Sequence, residues 1–113
     1  MFLDLNHKKL DVYQAARDLV REVYAVFLKL PDAEKFNMKQ QIRRAALSVK
    51  LNISEGSSRK SLRERKRYFE MARGSAVEID AALETAVEFG YFNEKELELV
   101  GKLLNKCLPC CPK

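Results

Sequence analysis

Apolar positions recur along most of this chain with the roughly 3.6-residue period of a helix, and no stretch alternates as a half-buried strand would. The clearest stretch is residues 37–55, closed by Gly56. Met38, Ile42, Ala45, Ala46, Val49 and Ile53 fall on one stripe, the face that such a helix buries. Gln41, Ser48, Asn52 and Glu55 form a polar stripe beside it, and Leu47 and Leu51 project from roughly the opposite side, next to Arg44. A surface helix ordinarily has one apolar face. Two faces predict burial on both sides, either within the chain's own bundle or against another subunit. Asn37 with Gln40 reads as a capping box that satisfies free backbone N–H groups, and Gly56 as a left-handed stop.

Three further helices follow from the same reading. Residues 1–10 read as an extended lead-in. Asp11, with Gln14 as its box partner, opens a first helix over 11–30, whose apolar face includes Val12, Ala15, Ala16, Leu19, Val23, Tyr24, Val26, Phe27 and Leu30. Pro31 ends it, because proline disfavours a helical residue before it and lacks the backbone donor. Ser61 with Glu64 caps a third helix over 61–89. Its apolar residues keep a heptad, Leu62, Phe69, Ala76 and Leu83 at one position and Ala72, Ile79 and Ala86 at the other. Gly74 inside it costs about 1 kcal/mol relative to Ala, which predicts a neighbouring backbone packed closely there. Gly90 ends the third helix, and Asn93 with Glu96 opens a fourth over 93–106, with Leu97, Val100, Leu103 and Leu104 inward. Four helices on short connectors predict an all-α, antiparallel up-down four-helix bundle in one domain, leaving residues 107–113 as a Cys-rich tail.

Composition narrows the class. With 4 Gly and 3 Pro in 113 residues, a loop-rich or all-β fold is disfavoured. No stretch approaches the ~20 apolar residues of a membrane span. The start, MFLDLNHKK, lacks a basic and then apolar secretory pattern, so the expected place is the cytoplasm. Charge changes the picture more. Residues 39–73 carry eleven Lys or Arg against Glu55, Glu64 and Glu70, a net of +8, whereas residues 74–100 carry seven Asp or Glu against Lys95, a net of −6. A basic block of that density is what a polyanion partner requires; a solvated helix face, or an acidic block of a neighbouring copy, is the alternative account.

Catalytic apparatus is absent from the pattern. His7 is the single histidine, and no P-loop or dinucleotide fingerprint occurs, so the expectation is no enzyme, no cofactor and no metal. Cys107, Cys110 and Cys111 include a C-x-x-C spacing, but a closed zinc site wants four ligands, and the run reads as an inert tail. The polar stripe Gln41, Ser48, Asn52 and Glu55 reads as a network between helices or subunits, with RNA contact or catalysis as lesser readings, and Arg73 as the candidate partner of Glu55. Arg59, Lys60, Arg63, Lys66 and Arg67, joined by Arg43 and Arg44 with Lys50, are the candidate phosphate contacts.

The run QIRRAALSVKLNISEG, followed by MARGSAVEIDAAL and EFGYF, resembles the four-helix-bundle proteins encoded by intervening sequences within bacterial 23S rRNA genes. The opening LDVYQAARDLVREVY and the connector LPDAEKFNM fit too, so the likeness covers about residues 8–105. Its markers are Gln41, Arg43, Arg44, Ala45, Ser48, Asn52, Glu55 and Gly56, then Ala72, Arg73, Gly74, Ser75 and Glu78. The resemblance implies a non-enzymatic bundle that assembles into a homo-oligomeric ring, a pentamer foremost. It also brings in relatives that serve diversity-generating reverse transcriptases as basic accessory proteins, so a reverse transcriptase joins RNA among the implied partners. The chain departs at Lys50, where that family commonly has Pro, and in its CLPCCPK tail.

The reading is therefore an oligomeric protein that binds RNA without catalysis, with Leu47, Leu51 and the polar stripe at the subunit contact. An accessory protein to a reverse transcriptase, or a scaffold with no nucleic acid, are the alternatives.

Overall fold

The four apolar stripes become four α-helices in the computed structural model, which describes Leu5 and residues 11–108. α1 spans Asp11–Lys29, α2 Met38–Ser58, α3 Leu62–Glu88 and α4 Glu98–Cys107, with 3-10 turns at Asp32–Glu34 and Glu94–Leu97. No strand occurs among the described residues. The fold is an all-α bundle. The lead-in, His7 within it, and the tail cysteines Cys110 and Cys111 lie outside the described residues, apart from Leu5.

Ala16, Leu19 and Val23 of α1, Ile42, Ala46, Val49 and Ile53 of α2, and Ile79 and Ala86 of α3 are fully buried. Each large side chain so buried contributes about 1.5–3 kcal/mol, so this seam is the main source of stability. Val100, Leu103 and Leu104 of α4 complete the core. Cys107 joins them at 3% exposure, which moves it out of the tail and into the last turn of α4.

α2 packs most extensively on α3, then on α1; α1 also packs on α4, while α3 and α4 touch only briefly. Gln41 meets Glu78, Ser48 meets Ser75, and Gly56 meets Phe69, so α2 and α3 run antiparallel. Clefts that bring Asp11 and Val12 beside Lys106, and Arg21 and Glu22 beside Leu99, give α1 and α4 the same relation.

Several local expectations are corrected. Asn37 makes no side-chain cap. Its N–H bonds the Glu34 carbonyl at 3.1 Å and its own carbonyl accepts from Gln41 N–H at 3.0 Å, so the 3-10 turn runs into α2 and the backbone itself supplies partners. α2 passes through Gly56 to Ser58, and among the described residues positive φ occurs only at Gly90, at +81°. Gly56 is needed for space: a Cβ there would lie 2.7 and 2.9 Å from Phe69 ring carbons and 3.1 Å from Tyr68 Cβ. Gly74 shows the reverse, since a Cβ there would meet nothing within 4 Å. Asp11 is already the first residue of α1, where its charge suits the positive helix end.

The other caps form. Ser61 accepts from Glu64 N–H at 3.1 Å. Asn93 and Glu96 make the full reciprocal box, at 2.9 and 3.1 Å, although it opens a 3-10 turn first. Leu62 fails its heptad role and is 60% exposed. The reason is length. α3 has 27 residues and α4 only 10, about 40 Å against about 15 Å at ~1.5 Å per residue. α4 meets α3 from Ala76 and Val77 onward, so the first turns of α3 project past it.

Candidate nucleic-acid interface

The α2–α3 connection is short because α2 runs on to Ser58 and Ser61 caps α3 almost at once. Every residue from Lys60 to Arg67 is exposed. This projecting tip presents Lys60, Arg63, Lys66 and Arg67, none of which forms an ion pair with a described residue. Arg65 leans back, its Nη2 donating to the Ser57 carbonyl at a long 3.5 Å.

Arg59 differs from these four. Its Nη2 donates to Glu55 Oε2 at 2.9 Å and to the Tyr68 hydroxyl at 3.2 Å. The guanidinium also lies 5.1 Å from the Tyr68 ring centroid, a cation–π distance. The hydrogen bond that Arg59 donates to the Glu55 carboxylate is the main cause that holds the Arg59 pKa above its ordinary value. Arg59 thus ties the last turn of α2 to α3, and Glu55 is spent on it rather than on Arg73. Arg73 stays exposed. The Glu55–Arg73 pair expected from the sequence does not form.

Arg43 and Arg44 are not gathered to the tip. They sit 16 and 15 residues before Arg59 on the same straight run, about 24 Å along the helix axis. Arg44 is exposed, and Arg43 lies 5.1 Å over the Phe27 ring of α1. Lys39 shares that ring at 5.2 Å and reaches Asp32 at 3.6 Å. Two basic groups result, one at the tip and one along the α1 side of α2. Lys39 is not picked out by pattern because lysine is rarely buried, yet here it is buried, with its ammonium held over Phe27 and near Asp32.

The polar stripe is a seam between α2 and α3. Ser75 Oγ lies 2.9 Å from Ser48 Oγ, Asn52 Nδ2 donates to the Ser48 carbonyl at 2.9 Å and to its Oγ at 3.0 Å, and Gln41 Nε2 donates to Glu78 Oε2 at 2.9 Å. This is the arrangement that lets polar atoms pack between helices at little cost. Leu47 and Leu51 stay exposed at 41% and 53%, so nothing within the described chain covers the outer face of α2.

No group of three or more His, Cys, Asp or Glu among the described residues could hold a metal. Burial pushes the Cys107 thiol up to about 11, which disfavours the thiolate that metal binding or redox work requires.

The model of the family described as 23S rRNA-intervening sequence protein matches residues 8–110. The chain belongs to that family. A search of curated proteins found no match. Among solved structures, the chain is similar to a protein of unknown function of the S23 ribosomal protein family from Bacteroides thetaiotaomicron VPI-5482. That likeness has 20% identity and a TM-score of 0.78, covering 87% of this chain and 92% of the other. It is a likeness of fold. No described helix is long and apolar enough to cross a membrane.

Proposed function

We propose that this family member is a non-enzymatic, homo-oligomeric RNA-binding protein of the cytoplasm that holds phosphates with the tip of its α2–α3 hairpin. The observation that carries the reading is the tip itself: Lys60, Arg63, Lys66 and Arg67 are exposed, close in sequence and free of described ion pairs. Unpaired cations in such an array attract phosphate through Coulomb forces and counterion release, without reading sequence. Arg59 acts behind them by fixing the hairpin. Arg43 and Arg44 form a separate group that a longer RNA could reach. Copies associate through the outer face of α2, where Leu47 and Leu51 are exposed. Five copies is the number that the family resemblance implies.

The test is the triple variant Arg63→Glu, Lys66→Glu and Arg67→Glu, assayed on a structured RNA by fluorescence anisotropy. Because all three side chains are exposed, helicity by circular dichroism should match the native protein while binding is lost. Native-like binding by the folded variant would remove the tip from the reading.

A further inference from the structure

A groove of about 550 Å³ opens where α3 and α4 diverge, floored by Leu83, Val87, Leu97 and Leu104. A smaller cleft of about 150 Å³ adjoins it, sharing Asp80, Gly101 and Leu104 and reaching Val77, which is 56% exposed. From Val77 to Glu88 the two together run about 16 Å along α3, the length of roughly three helical turns.

Asp80, Glu84 and Glu88 stand along the rim at intervals of four residues, and Glu94 joins them from the 3-10 turn before α4. All four carboxylates are exposed and make no ion pair with a described residue. Like charges four apart on a helix repel one another, and residues 74–100 contain a single cation, Lys95. The result is an uncompensated anionic row, stepping about 6 Å at a time, beside apolar surface.

Gly101 is an independent observation on the same groove. It lies inside α4, where glycine weakens a helix, yet a Cβ there would meet nothing within 4 Å. No described neighbour requires a glycine at that place. The side chain it omits leaves room for a backbone that approaches from outside.

These features converge on one kind of occupant. An apolar floor takes apolar side chains, a carboxylate row at four-residue spacing takes cations at the same spacing, and an open glycine admits the backbone between them. We infer that the α3–α4 groove docks a basic amphipathic helix, about three turns long, from a different protein. Its apolar face rests on Leu83, Val87, Leu97 and Leu104, and its Lys or Arg side chains meet Asp80, Glu84 and Glu88. Arg63 of the tip and Glu84 of the groove are 21 residues apart on α3, about 30 Å along its axis. Docking there leaves both the tip and the outer face of α2 free.

The probe is a fluorescein-labelled synthetic peptide of two heptads, with leucine at a, d and e and lysine elsewhere. A shuffled peptide of the same composition is its control. Native protein freed of nucleic acid with nuclease should bind the amphipathic peptide at least about tenfold more tightly than the shuffled one at physiological salt, where distant charges are screened. Glu84→Lys with Glu88→Lys should weaken that binding more than about tenfold, because the rim then repels the lysines. Gly101→Leu keeps the charge and fills the groove, so it should weaken binding as much with no fall in thermal stability. The same charge change on α1, Asp18→Lys with Glu22→Lys, should alter binding less than about twofold.

Equal affinity for the two peptides, a groove variant that binds like native, or an α1 variant as impaired as the groove variant would overturn the inference. So would groove variants that sediment differently from native without peptide, which would assign the groove to a second copy of this chain. No RNA is present in these measurements, so the phosphate reading stands or fails separately.

Discussion

α3 meets α2 on one flank and α4 on the other, and the two flanks differ in fit and in chemistry. Against α2 the helices approach until Gly56 touches the Phe69 ring, and Ser48, Asn52, Ser75, Gln41 and Glu78 satisfy one another. Against α4 they splay, leaving an apolar floor and four unpaired carboxylates. α3 is thus finished on its α2 side within one chain and unfinished on its α4 side. Its length adds a second contrast, basic and projecting at the start, acidic and grooved toward the end. A single helix with one completed flank and two uncompensated ends of opposite charge is suited to work between molecules as well as inside one.

The largest effect that tests this contrast is core truncation. Ile79→Ala, at a fully buried site, should cost about 4 kcal/mol, and Leu97→Ala at the groove margin about 2 kcal/mol, because an open groove leaves less enclosed cavity. Equal losses in urea unfolding would show that the α4 flank is packed as tightly as the α2 flank.

Next in size is the pH dependence of Cys107. Its folded thiol is raised from 9.0 to about 11 by burial, so the neutral form is favoured in the native state. That contribution is fully present below pH 9 and is lost as pH rises through 9 toward 11, on the order of 2 kcal/mol. Cys107→Val should flatten the alkaline fall in stability relative to native protein, and native Cys107 should label with a thiol reagent only on unfolding. Rapid labelling of Cys107 in the folded state, read by mass mapping, would mean that the end of α4 is not seated.

Glycines give the finest test. Gly56→Ala should destabilise by about 1–2 kcal/mol, the overpacking against Phe69 and Tyr68 exceeding the ~1 kcal/mol gain in helix propensity. Gly74→Ala should stabilise by up to about 1 kcal/mol, as its Cβ enters open space. A loss at Gly74 in the assembled protein, with a gain in a monomeric one, would place that position in a subunit contact.

Much of the fold was legible because periodicity reports which face of a helix is apolar. The core stripe of α2, the inward residues of α4, the Ser61 cap, the Asn93 box and the Gly90 stop all follow from local pattern. What was not legible depends on where a neighbour stops or how near it comes. Leu62 keeps its heptad, but α4 is too short to cover it. Pattern alone reads Gly56 as a stop and Gly74 as a close-packed site, yet it is at Gly56 that a Cβ would meet the Phe69 ring, and at Gly74 that it would meet nothing within 4 Å. The basic residues were legible as a class, but not their division. The Glu55–Arg59 spacing of four residues was the available signal that Arg59 is anchored, and it competed with a longer-range pairing to Arg73. Cys107 was read with its neighbours in the tail, although its spacing from Leu103 and Leu104 continues the buried face of α4.

The most direct test of the central claim, that the hairpin tip holds phosphate, is the salt dependence of RNA affinity. Binding of one structured RNA would be titrated across salt concentrations for the native protein, the Arg63→Glu, Lys66→Glu and Arg67→Glu triple variant, and the Arg43→Glu and Arg44→Glu double variant. With about four phosphates engaged, the native slope of log affinity against log salt should be near −3. The double variant should keep most of that slope, and the tip variant should lose both affinity and slope. A steep slope that survives in the tip variant and vanishes in the double variant, or native binding indifferent to salt, would contradict the account.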